Sequence, residues 1–204
     1  YGSYFVLGEK LKSFSNILRV KKDLNGESYI GIIATDREVK KAYNRVFGFD
    51  GSLNFLSNYY FNWQIMGYDT KELNDSNLFN RKVSLADGSY YLKFDGEKFS
   101  GFGGLLSVSR NARHWNFNLN YQEAPPETRR DVGYLGGINW RQLYGWSGYT
   151  FYPAKGFFLR VNPQMELGTS YRYDGSIKEH WIVPSIYVLM KQRLEFNTGF
   201  FAVN

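Results

Sequence analysis

Cysteine is absent from this chain of 204 residues, and histidine occurs only at His114 and His180. No disulfide can form and no thiolate can ligate or attack, while two separated histidines make a poor ligand set, so neither a metal nor a cofactor is expected. Long apolar runs are missing as well: the longest nearly apolar stretch, 181–190, contains Pro184 and is about half of the roughly 20 residues that a spanning helix needs. The first twelve residues lack the basic start and apolar core of a secretory signal, so the chain reads as mature protein or a fragment. Basic residues give a net charge of +6 but are scattered among turns and strand interiors, which argues against a nucleic-acid partner. Gly101, Gly103 and Gly104 surround Phe102 without the spacing or strand-to-helix context of a phosphate cradle; curvature or close packing is the expected use of these glycines.

Aromatic residues are abundant, with 17 Tyr, 17 Phe and 5 Trp making up 19% of the chain. They fall into a two-residue rhythm. Over 157–172 one parity reads Phe157, Leu159, Val161, Pro163, Met165, Leu167, and the other reads Phe158, Arg160, Asn162, Gln164, Glu166, Gly168. Side chains of a strand point alternately to opposite faces, so this segment has one apolar and one hydrated face. Residues 114–123 repeat the pattern, with Trp115, Phe117, Leu119 and Tyr121 opposite Asn116, Asn118, Asn120 and Gln122. A mean hydropathy of −0.44 fits a protein in which only alternate residues are apolar.

Alternation and turn signals predict about eleven strands, near 3–10, 15–23, 27–36, 42–56, 59–69, 89–109, 114–123, 139–153, 157–172, 177–190 and 193–204. Asp95 and Gly96 mark a bulge or small turn in the sixth, and Pro163 and Pro184 call for bulges or boundary positions because each lacks a ladder donor. Tight connections follow even-numbered strands, whereas the long ones, 71–88 and 124–131, follow odd-numbered strands. Outer-membrane barrels have short turns at one end and longer loops at the other. The expected fold is therefore an all-β, antiparallel transmembrane β-barrel of the bacterial outer-membrane type, with 1–204 as one domain. An odd strand count and the absence of a terminal aromatic residue suggest that this domain is part of a larger closed barrel, incomplete at one or both ends.

On the chosen parity the charged residues expected to face the lumen are Arg19, Asp50, Arg141, Arg160, Glu166, Arg172, Arg193 and Glu195. Charged rings of this kind can line a selective pore. They can equally pair with one another and fill a small barrel. Neither histidine lies beside a serine-centred motif, so catalysis is not expected.

The run Asp36, Arg37, Glu38, followed by Tyr43, Asn44, Arg45, Val46, Phe47, Gly48, Phe49, Asp50, Gly51, resembles a pattern in an outer-membrane barrel family whose barrel often follows a carbohydrate-binding family-9-like module. Arg130, Asp131, Val132, Gly133, Tyr134 resembles a second pattern of that family, although Thr128 stands where an aromatic is expected and Gly136–Gly137 where a Pro-Arg pair is expected. The resemblance implies a barrel with an attached glycan-binding module absent from this chain, and transfers no catalytic residue. The expected partners are outer-membrane lipid, other proteins of an envelope assembly, and glycan through that module. The expected role is a membrane scaffold or transport-associated component, with a porin-like channel for small solutes as the alternative.

Overall fold

The computed structural model describes residues 12–75, 84–85, 90–91, 95–128 and 137–204. The expected strand at 3–10 and the Arg130–Tyr134 motif lie outside these residues. The alternating segments form β1 (Ser13–Asp23), β2 (Tyr29–Val39), β3 (Ala42–Phe55), β4 (Tyr59–Lys71), β5 (Ser84–Leu85), β6 (Tyr90–Tyr91), β7 (Lys98–Arg110), β8 (Trp115–Ala124), β9 (Trp140–Tyr149), β10 (Phe158–Tyr171), β11 (Ile177–Met190), β12 (Glu195–Gly199) and β13 (Ala202–Val203). All but β5 and β6 belong to one antiparallel sheet of eleven strands, in the order β1-β2-β3-β4-β7-β8-β9-β10-β11-β12, with β13 also on β11. Among the described residues the sheet is not closed: β1 lies at one edge and β12 and β13 at the other. The stretch expected as a single strand over 89–109 is divided: Tyr90–Tyr91 pairs with Ser84–Leu85 in a separate hairpin, and Asp95 bridges Asn74 before β7 begins. Gly96, between that bridge and β7, has a φ of 82° that few other residues adopt readily.

Five connections share one end of the sheet: 24–28, 56–58, 111–114, 150–157 and 191–194. The other end carries 40–41, 72–97, 125–139 and 172–176, so both longest connections lie together, as the alternation of turn lengths predicts.

Registers propagate one parity across every ladder. Phe49 faces Ile65 across β3 and β4, Ile65 faces Gly104, Leu106 faces Tyr121, Tyr121 faces Leu143, Leu143 faces Thr169, and Leu167 faces Ile182. The resulting apolar face is exposed over its breadth, including Leu18, Phe47, Ile65, Leu119, Leu167 and Ile182. The opposite face carries Asn44, Asp50, Ser107, Asn120 and Ser170, all buried. Its compact apolar part is small, centred on Val46, Met66 and Tyr68, with Phe99 and Ala124 also buried.

Both prolines mark interruptions of a ladder. Phe151 and Val161 exchange backbone hydrogen bonds, but the continuous β9–β10 pairing resumes only at Gly148 and Gln164, beyond Pro163, whose nitrogen has no hydrogen to donate. At the edge, the Phe200 amide donates to the Pro184 carbonyl at 3.0 Å and Pro184 returns no bond; β12 ends and β13 restarts in the same register on β11. Pro184→Val should restore a donor, join β12 to β13 and add about 0.5–1.5 kcal/mol of stability. Amide exchange across 182–186 and 199–203 checks this, and an unchanged pattern would exclude the missing donor as the cause of the break.

Candidate functional site: the polar face

Glycine lets an arginine cross a strand. Arg19 on β1 and Asp50 on β3 are separated by β2, where Gly31 pairs with Asp50 in one ladder and lies beside Arg19. The Arg19 guanidinium lies over Gly31, where a Cβ would stand 2.8 Å from Nη2, and donates twice to the Asp50 carboxylate, with the Nη2–Oδ2 bond at 2.6 Å. A bidentate geometry gives this pair the strength that a single contact lacks. Asp50 is buried while Arg19 remains partly exposed.

Amides and hydroxyls continue the network. Asn44 Nδ2 donates to Thr70 Oγ1 at 2.9 Å, Asn118 Nδ2 to Ser107 Oγ at 3.2 Å, and Gln122 Nε2 to Gln142 Oε1 at 2.8 Å. Further along, Trp181 Nε1 donates to Glu166 Oε1 at 2.9 Å, and the Trp181 indole lies across Gly168, its direct ladder partner, in the space that a Cβ would fill. Arg160 lies 4.6 Å from the centroid of the Tyr187 ring. These bonds tie β3 to β4, β7 to β8, β8 to β9 and β10 to β11 from the polar side, so side chains reinforce the same pairings as the backbone.

Arg19, Asp50, Arg160, Glu166 and Glu195 thus share the polar face by register, whereas three expected members do not. Arg141 pairs with Glu123 and Tyr171 on the parity of Leu143, at the rim of the apolar face, with its guanidinium 6.0 Å and 5.8 Å from the Tyr171 and Tyr173 rings. Trp140, Tyr144 and Trp146 occupy the polar parity of β9, and these aromatics reverse the pattern that assigned Arg141 inward. Arg172 lies beyond β10 in the 172–176 turn, where its amide donates to the Ser176 carbonyl at 2.8 Å. Arg193 lies in the Lys191–Arg193 3-10 turn at a φ of 61°. Strand parity does not extend through turns, so neither position has a face.

Two clusters carry no local sequence signal. Tyr121 and Tyr173 both donate to Glu123 Oε2, at 2.7 Å and 2.8 Å, clasping the β10–β11 turn to β8. Burial, followed by this bond to Glu123, holds the Tyr173 phenol well above its ordinary range, so it remains a donor. Glu72, Asp95 and Glu97 bring carboxylate oxygens within 4.8 Å of one another where the β4–β7 connection leaves and rejoins the sheet; among the described residues these are the groups that could hold a hard cation. His114 and His180 lie at opposite ends of the sheet, His114 in the 111–114 turn against Tyr149 and Tyr152, and His180 beside Tyr171. Comparisons with family models, with curated proteins and with solved structures find no match to this chain.

Arg19→Met should lower stability, because Asp50 is left buried without its cation. Arg19→Met/Asp50→Asn should recover part of that loss. Urea midpoints in detergent test the order, and equal losses would show that the pair is not coupled. Gly168→Val forces the Trp181 indole off the strand, at a cost of about 1–3 kcal/mol; a shift in tryptophan emission should accompany it, since Trp181 also loses Glu166.

Proposed function

We propose that this chain is the wall of a transmembrane barrel of the bacterial outer membrane, acting as a scaffold or transport-associated part of a larger envelope assembly. One observation carries the reading: the broad apolar face is exposed, and the buried positions are mostly polar. A soluble sheet covers its apolar side with a second layer, whereas hydrocarbon can cover this one directly.

The order of side chains along the strands supports the same reading. Leu18, Phe47, Ile65, Leu119, Leu143 and Leu167 form a middle band. At the short-turn end lie Phe55, Tyr59, Phe117 and Trp115, each in ring contact with the next, and the Tyr149–Phe151 ring pair, with Arg110 5.6 Å and 5.2 Å from the Tyr59 and Trp115 rings. The opposite rim carries Arg45 over Tyr43, with Asp36 and Glu38 paired to Arg45, and Arg141 over Tyr171 and Tyr173. Aromatic and charged belts on either side of an apolar band suit the two membrane–water boundaries. Strands of 10–14 residues in the main run also meet or exceed the 9–11 that a tilted membrane strand requires.

In hydrocarbon every backbone polar group needs a partner, so the membrane reading requires the free edges of β1 and β12–β13 to be paired in a closed wall. The resemblance to a barrel family that carries a glycan-binding module favours a scaffold over a solitary pore. A porin-like channel is the second reading, favoured by the amide- and carboxylate-rich polar face.

Met165 is exposed on the apolar face and Gln164 follows the polar parity. Met165→Arg should impair insertion into vesicles by about 2–4 kcal/mol while Gln164→Arg is tolerated; equal yields would defeat the membrane reading. Planar-bilayer recording, combined with affinity purification from solubilised membranes, separates the two functions. Stoichiometric partners with a silent bilayer support the scaffold. A large steady conductance without partners supports the channel.

A further inference from the structure

We propose that residues 125–128 form an internal strap that obstructs the polar face, so that passage along this face is limited inside the wall. The inference rests on the membrane-barrel reading.

The strap follows β8 and turns back over β7. The Thr128 amide donates to the Pro125 carbonyl at 3.0 Å, closing a tight turn, and Pro125, Pro126 and Thr128 are buried. Thr128 is fully buried, which is unusual for a residue in a connection at the end of a sheet. The floor beneath it is shaped by absent side chains. A Cβ on Gly101 would lie 3.1 Å from Glu127 Cβ, and one on Gly103 would lie 2.7 Å from Pro125 Cδ. Both glycines share the polar parity with Phe99, Met66 and Tyr68 through the β4–β7 register. Their purpose is therefore not curvature alone: they form a notch that receives the strap.

Chemistry favours an obstruction over a ligand seat. Elsewhere the polar face mixes amides, carboxylates and guanidinium groups with rings that stay partly exposed, such as Trp146 and Trp181, but here Met66, Tyr68, Phe99 and Ala124 are buried beside two prolines. This is the main apolar packing on that face among the described residues. A dry, tightly filled patch raises the barrier to a hydrated solute. Two successive prolines have fixed φ angles, so the strap loses little entropy by staying in place.

The cysteine-free sequence makes the test direct. Gly101→Cys/Glu127→Cys, oxidised in the folded full-length chain in detergent, should form an intramolecular disulfide rapidly, since the two Cβ positions reach bonding range with a slight adjustment. The same pair in the urea-unfolded chain should react slowly. Failure to cross-link in the folded chain would overturn the strap's placement. In vesicles loaded with raffinose, Pro125→Gly/Pro126→Gly and Gly101→Trp should each speed sugar release several-fold over the unsubstituted chain, and the oxidised cysteine pair should not. Unchanged release from variants whose strands resist protease in the vesicles would overturn the obstruction. If the strands of the unsubstituted chain are digested, the membrane reading fails and the transport role falls with it, a result the cross-link in detergent keeps distinct.

Discussion

Register is the constraint on which the rest of this structure depends. A strand displaced by one residue exchanges its two faces completely. In β3 that slip would place Phe47, Phe49 and Leu53 among Asn44, Asp50 and Ser52, and would separate Asp50 from the path that Arg19 takes over Gly31. Each ladder transmits its parity to the next, so an error in one hairpin would reappear in every strand beyond it. The short connections at one end limit such errors locally. The polar bonds then reinforce the choice, because Gln122 meets Gln142 and Trp181 meets Glu166 only when the backbone registers are correct.

Glycine supports this arrangement by creating space for larger neighbours. Gly31 accommodates the Arg19 guanidinium, Gly168 lies beneath Trp181, Gly51 beneath Trp63, and Gly103 receives Pro125. Three of these pairings join adjacent elements through a large side chain laid across the missing one. Glycine weakens a strand through its entropy and lack of side-chain packing; a covering ring or guanidinium offsets part of that loss by shielding the backbone. The same device therefore serves opposite faces, with an indole over Gly51 on the apolar side and another over Gly168 on the polar side.

Most strands were legible because alternation is a local property. Residues 177–190 coincide with β11, and 42–56 differs from β3 by one residue. The long expected strand over 89–109 is divided, and Asp95 and Gly96, marked in the sequence as a bulge or small turn, lie at the break: the Asn74–Asp95 bridge and the positive φ of Gly96 fix a separate entry to β7. Side-chain roles were less accessible. Arg19 and Asp50 could be chosen from parity, but their contact depends on a glycine in the intervening strand. Arg141 was assigned to the wrong side because β9 has rings on both parities, and Arg172 and Arg193 because alternation was continued past the ends of strands. Glu72, Asp95 and Glu97 converge only after the β4–β7 connection has returned.

The two prolines reveal how antiparallel pairing tolerates a lost donor. Pro163 lies inside the sheet, yet β10 remains paired with β11 through Pro163 and Ile186 while the β9 ladder is interrupted on its other side. Pro184 likewise remains paired with Met165 on the inner side of β11, and its missing hydrogen falls on the edge formed by β12 and β13. Each strand residue directs its backbone polar groups toward one neighbour, so proline need not break both ladders. Placing one defect at the end of the continuous β9 pairing and the other at the sheet edge preserves the registers that carry the apolar face, while leaving the β12–β13 edge more weakly held than the strands within.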